Sequence, residues 1–151
     1  MVIQHILVPT DFSEYADYAL EYSIELAKVL QARLTLLHVF QLAPLTVGIV
    51  PHSVFTLTLH EMQTKAHRQI QATLARIKQT GIPCESVIVQ GFPFQTIIDT
   101  VKERAIDLIV MGTHGRTGLT HVLMGSVAER VVRMAPCPVL VTRGRSSTVD
   151  T

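Results

Sequence analysis

The sequence predicts an α/β fold: one open, five-stranded parallel sheet with helices on both faces. Three observations predict it. Short apolar runs alternate with segments of helical period in the order β-α-β-α-β-α-β-α-β. The runs are near-continuously apolar, as strands buried on both faces require. Right-handed crossovers between parallel strands then lay each helix back on the sheet. The 151 residues carry no internal repeat and no linker. One domain over residues 1–143, with a small polar tail over 144–151, accounts for the chain.

The elements follow in order. Ile3–Val8 is an apolar, β-branched run ended by Pro9, a buried strand. From Ser13 to Gln31, Ala16, Ala19, Leu20, Ser23, Ile24, Ala27 and Leu30 recur at three and four, the period of a helix with one buried face. Arg33–Phe40 is the second strand, and Gln41–Ser53 an uncharged connection with two prolines and a glycine. A long helix from about Val54 to Thr80 carries Leu59, Met62, Ala66, Ile70, Leu74 and Ile77 on one stripe, and Gly81 and Pro83 stop it. Glu85–Gln90 is the third strand. Gly91 and Pro93 mark a turn, with Pro93 in the first turn of a helix reaching about Arg104. Ile106–Met111 is the fourth strand, and a glycine-spaced loop runs from Gly112 to Gly125. A helix from Ser126 to about Met134 and a fifth strand, Cys137–Thr142, complete the order.

Composition narrows the function classes. The chain is 48% hydrophobic and only 17% charged, against roughly 25% charged in a typical soluble domain. Intrinsic disorder is excluded. Two cysteines exclude a disulfide scaffold. A net charge of +1 and no basic run give no footprint for nucleic acid. The longest uncharged stretch, Leu34 to His60, spans 27 residues but is broken by Pro44, Gly48, Pro51 and three histidines, so no membrane span is expected. The N-terminus lacks a basic region before its apolar run and reads as a strand, not a leader. The expected compartment is the cytoplasm.

In open α/β sheets, ligands bind beyond the carboxyl ends of the strands, where the strand order switches. Three features fall there: Pro9-Thr10-Asp11, Val39-Phe40 and Gly112–Ser126. The last reads GTHGRTGLTHVLMGS, with Gly112 and Gly115 three apart and Gly125 following Gly115 after nine intervening residues. Glycines let backbone amides approach an anion, and a helix opening at Ser126 adds unpaired N–H groups and partial positive charge. The same residues fit a plainer role. Ser126-Val-Ala-Glu129 has the form of a capping box, and Asp11-Phe-Ser-Glu14 has it as well. Spacing alone leaves anion binding and helix capping both open. This is neither the dinucleotide fingerprint, which follows a first strand, nor a P-loop, which needs a lysine after its glycines. Thr113 and His114 read as loop residues. The histidines show no metal-ligand spacing. Cys84 and Cys137 read as reduced, buried small hydrophobes.

Taken together, Gly112-x2-Gly115-x9-Gly125-Ser126 resembles the nucleotide-binding signature of the universal stress protein family, in its ATP-binding branch. MGTHGRTGL, VPTDFS, LLHV and APCPVLVTR resemble that family's loop, first strand and turn, second strand and closing strand. The likeness covers nearly the whole chain, best over Ile3–Ser13 and Ile106–Arg143, and least over Gln41–Ser53. It implies a Rossmann-like, adenine-nucleotide-binding fold. By this resemblance Pro9, Thr10 and Asp11 line the adenosine end of the site, Val39 meets adenine through its backbone, and Met111 and Gly112 border the nucleotide. Gly115, Gly125, Ser126 and the Val127 amide hold the phosphates, with Arg116 over them or turned to solvent. The cofactor implied is ATP, or ADP or AMP, with Mg²⁺ or Mn²⁺ held mainly through phosphate oxygens.

The expected function is a nucleotide-dependent regulatory module of the stress response with at most slow ATP hydrolysis. The chain offers no P-loop lysine and no clear acidic pair to hold metal and activate water. The alternative is a nucleotide-independent, dimeric interaction module of the same fold. On the order 3-2-1-4-5 the fifth strand is an edge bearing Val139, Leu140 and Val141, which invites pairing. The resemblance implies a twofold homodimer through the strand Pro138–Thr142.

Overall fold

The computed structural model describes residues 2–41, 50–114 and 124–144. Most of the Gln41–Ser53 connection, the loop centre with Gly115 and Arg116, and the polar tail lie outside the described residues. Among the described residues nine elements follow one another: β1 (His5–Pro9), α1 (Glu14–Leu30), β2 (Arg33–Phe40), α2 (His52–Lys78), β3 (Cys84–Gln90), α3 (Pro93–Glu103), β4 (Leu108–Gly112), α4 (Ser126–Met134) and β5 (Val139–Thr142). The strands form one parallel sheet in the order β3-β2-β1-β4-β5.

Strand residues alternate between two cores because successive side chains leave a strand on opposite faces. Ile6, Val8, Leu34, Leu36, Leu108 and Val110 pack beneath α1 and α2, against Ala19, Leu20, Ile24, Ile70, Leu74 and Ile77. Leu7, Leu37, Ile109 and Met111 face α3 and α4, against Ile97, Val101, Ala128 and Val131. The low charge of the sequence is thus the mark of a sheet with two covered faces. Among the described residues, no helix is long and apolar enough to cross a membrane.

Several boundaries differ from expectation, each for a local reason. The first strand begins at His5 rather than Ile3: the backbone N–H groups of Gln4 and His5 both donate to Asp107 Oδ2, at 2.9 Å. The long helix begins at His52, because the Pro51 carbonyl already accepts from Val54 and Phe55. Its stripe is buried at Ala66, Ile70, Leu74 and Ile77, while Leu59 and Met62 are half-buried. In α1, Leu30 lies outside the buried face at 37% exposure. The third strand gains Cys84, the fourth runs Leu108–Gly112, and the fifth starts at Val139. Cys84 and Cys137 are half-buried rather than buried. Burial still raises both thiols, Cys84 to about 11.

Candidate functional site

A cleft of about 360 Å³ opens beyond the carboxyl ends of β1, β2 and β4. It lies where the order switches, since β2 and β4 flank β1 on opposite sides. Its volume is within the range of about 300–1,000 Å³ common for small-molecule sites. Nine of the eleven residues expected at the site line it: Pro9, Thr10, Asp11, Val39, Met111, Gly112, Gly125, Ser126 and Val127. The other two, Gly115 and Arg116, lie outside the described residues.

The first wall is the turn that follows β1. Thr10 donates its backbone N–H to the Leu37 carbonyl at 2.8 Å, which fastens the turn to β2. Thr10 Oγ1 accepts the Phe12 N–H, and Asp11 Oδ1 accepts the Ser13 N–H, each at 3.0 Å. Helix α1 is capped by Ser13, whose hydroxyl oxygen accepts the Ala16 N–H at 3.2 Å. The capping role open to Asp11 in the sequence therefore falls to Ser13. Asp11 shapes the turn ahead of the cap and presents its half-buried carboxylate to the cleft.

The opposite wall is the start of α4. Gly125 donates its N–H to the Thr113 carbonyl at 2.6 Å, tying the helix entry to the end of β4. Gly125 is the N-cap and supplies no side-chain cap bond. The capping box left open as the alternative at Ser126 and Glu129 is not formed: Ser126 is already the first helical residue, and Glu129 pairs forward with Arg133 at 2.8 Å. The N–H groups of Ser126, Val127 and Ala128 have no acceptor within the helix. These three residues line the cleft, so the positive end of the helix dipole and the Ser126 hydroxyl meet there.

Between these walls the surface is apolar, made by Ala16, Val39, Pro93, Ile97, Met111 and Ala128. Pro93, Ile97, Ala128 and Ala16 were missed as site residues, as were Gln41, Thr113 and His114. Their apolar members read in sequence as ordinary core positions, and only the topology turns them toward the cleft mouth. His114 lies with Nδ1 3.0 Å from Thr113 Oγ1 and its ring 5.2 Å from that of Tyr15. Asp11 is the one acidic side chain among the described lining residues, which include no lysine or arginine. Among the described residues, no group of three or more His, Cys, Asp or Glu side chains is placed to hold a metal ion.

Comparison with known proteins agrees with this architecture. The model of the universal stress protein family matches residues 3–143. Universal stress protein MJ0531 of Methanocaldococcus jannaschii is 32% identical over 138 residues, covering 91% of this chain and 81% of that protein. Universal stress protein MJ0577 of the same organism is 31% identical over 165 residues, covering 97% of this chain and 99% of that protein. The solved MJ0577 structure superposes with a TM-score of 0.86 over 97% of this chain and 100% of its own, at 28% identity. A family member from Arabidopsis thaliana, solved with AMP bound, shares the fold at a TM-score of 0.68 and 20% identity, over 97% of each chain. A match that runs from the first strand to the last places this chain in the universal stress protein family.

Proposed function

We propose that the cleft binds an adenine nucleotide, ATP or its products ADP and AMP, and that the protein acts as a nucleotide-dependent regulatory module. The observation that carries this reading is the pairing of an apolar slot with an uncapped helix N-terminus at one switch-point cleft. The slot between Val39, Met111 and Pro93 suits a flat, apolar base. Asp11 and Thr10 offer polar groups at the ribose end. The amides of Ser126 and Val127, with the Ser126 hydroxyl, suit phosphate oxygens, and Gly115 and Arg116 complete that end in this reading.

The donor set also bears on the metal. One carboxylate, already accepting the Ser13 N–H, does not make a cation cage. It fits Mg²⁺ or Mn²⁺ carried in on the phosphates and keeping its waters. Such an ion would neutralise phosphate charge in the cleft. The same donor set suits holding a nucleotide rather than activating a water, so hydrolysis is at most slow.

Isothermal titration of the full chain with Mg·ATP tests the reading. Binding that a Gly115→Val, Gly125→Val double variant weakens by roughly tenfold or more supports it. No binding at millimolar nucleotide, or equal binding by the variant, refutes it and leaves the nucleotide-independent module. That module and the nucleotide-dependent one share a proposed homodimer through β5, the edge strand of the sheet among the described residues.

A further inference from the structure

Behind the cleft wall stand two rings that do not line it. His38 is 6% exposed on β2. Its Nδ1–H donates to the Thr10 carbonyl at 2.8 Å. The ring of Phe12 packs on it with centroids 4.5 Å apart and planes tilted by 39°. Phe12 has φ +62, in the left-handed region that a bulky aromatic residue rarely adopts. A backbone held there persists only when its surroundings over-determine it. Here they do. Thr10 is fixed through its N–H to Leu37, through its carbonyl to His38 and through its hydroxyl oxygen to the Phe12 N–H.

We infer that His38 and Phe12 are positioning residues, a latch that holds the turn after β1 in its left-handed form and so sets where Thr10 and Asp11 meet the ligand. The inference rests on the nucleotide reading of the cleft. Thr10 and Asp11 precede the strained residue, and Ser13, which donates its N–H to Asp11, follows it. If Phe12 relaxes to a negative φ, the chain direction between Asp11 and the α1 cap changes. The carboxylate then leaves its place on the cleft wall. The His38 hydrogen bond and the ring contact oppose that relaxation from the buried side. The latch serves the adenosine end alone, because the helix α4 amides at the other wall are held independently through Gly125 and Thr113.

The test compares three probes on the full chain by titration: Mg·ATP, adenosine, and inorganic tripolyphosphate as a competitor of ATP. His38→Leu removes the donor and Phe12→Ala removes the ring. Each is expected to weaken ATP and adenosine by about tenfold while leaving tripolyphosphate within about twofold. His38→Asn keeps an N–H near the position of Nδ1–H and is expected to recover ATP affinity to within about threefold of the unaltered chain. Should His38→Leu fail to fold, Phe12→Ala, at a half-buried position, carries the same prediction. Unchanged ATP and adenosine affinity, or a parallel loss for adenosine and tripolyphosphate, overturns the latch while the nucleotide reading stands. An unaltered chain that binds none of the three probes overturns the nucleotide reading and the latch with it.

Discussion

Gly112 sets the closest approach between β4 and α1, and adding one carbon there tests how tightly the cleft floor is built. An alanine Cβ at this position stands 2.8 Å from the Tyr15 carbonyl oxygen, 2.9 Å from the Tyr15 carbonyl carbon and 2.9 Å from Tyr15 Cβ. Carbon contacts rest at about 3.5–4.0 Å, so the first turn of α1 must retreat by roughly half an ångström. Two of the three opposing atoms are backbone, and no rotamer change relieves them. Overpacking of this kind costs about 1–3 kcal/mol. Alanine also narrows the unfolded ensemble, which stabilises by about 0.4–1 kcal/mol where the backbone conformation is ordinary. Gly112 is not among the positive-φ residues, so that gain applies. The clash wins, and the net loss is about 1–2 kcal/mol.

For a chain of this length a loss of that size lowers Tm by about 2–8 °C. Gly91 supplies the control. A Cβ there meets Thr96 Oγ1 at 2.8 Å, the end of a side chain that can turn away, so Gly91→Ala is expected to stay within about 2 °C of the unaltered chain. Calorimetry on both variants decides the matter. A Gly112→Ala protein that melts at or above the Gly91→Ala protein refutes the claim that α1 backbone packs against this glycine.

Burial, then the charge of Arg33, lowers the pKa of His5 from its ordinary 6.5. As pH falls the unfolded chain takes up this proton first, so the stability due to neutral His5 is full above about 6.5 and is lost as pH drops from there through the folded-state value. Urea unfolding between pH 7.5 and 5 should show a shallower acid slope in His5→Gln; an equal or steeper slope refutes the assignment. At β5, the carbonyls of Pro138 and Thr142 accept from Ile109 and Thr113 at 3.0 Å, so alternation turns the backbone N–H and C=O of Val139 and Val141 to the open edge. Val141→Pro removes an outward donor without touching the β4 ladder. Light scattering should find a dimer converted toward monomer, and an undiminished dimer refutes pairing through this edge.

What the sequence disclosed depended on how far apart the deciding partners lie. Arg33–Phe40 and Ser126–Met134 match their expected bounds, because an apolar run and a glycine-led helix start are decided by neighbours. Cys137 fell outside its strand for an equally local reason: Pro138 has no N–H to give the ladder. The cleft was legible where a motif sits at a strand end or a helix start, as at Pro9–Asp11 and Gly125–Val127. Capping stayed open at both helix starts because a capping-box pattern does not state which of its residues is the cap. DFSE and the residues after it contain two acceptors for one helix. Geometry gives Ser13 the cap and Asp11 the turn.

The buried histidines were the least legible, and the reason is topological. His5 lies 2.7 Å from Thr35 Oγ1 and 3.1 Å from the Arg104 carbonyl, partners 30 and 99 positions away. Thr35 in turn donates to Glu85, which Arg104 also engages at 2.7 Å. Burial pushes the Glu85 carboxyl up, yet the hydrogen bonds from Thr35 and Arg104 and the Arg104 charge outweigh it and leave it below the usual carboxylate value. Thr35 has one hydroxyl proton, and both Glu85 and the neutral His5 ring compete for it. A protonated His5 ends that competition by donating from both ring nitrogens. Burial and Arg33 oppose that protonation, so the network and its surroundings pull the ring in opposite directions. No periodicity or spacing signals such a conflict, since it exists only once β1, β2, β3 and the end of α3 have been brought together.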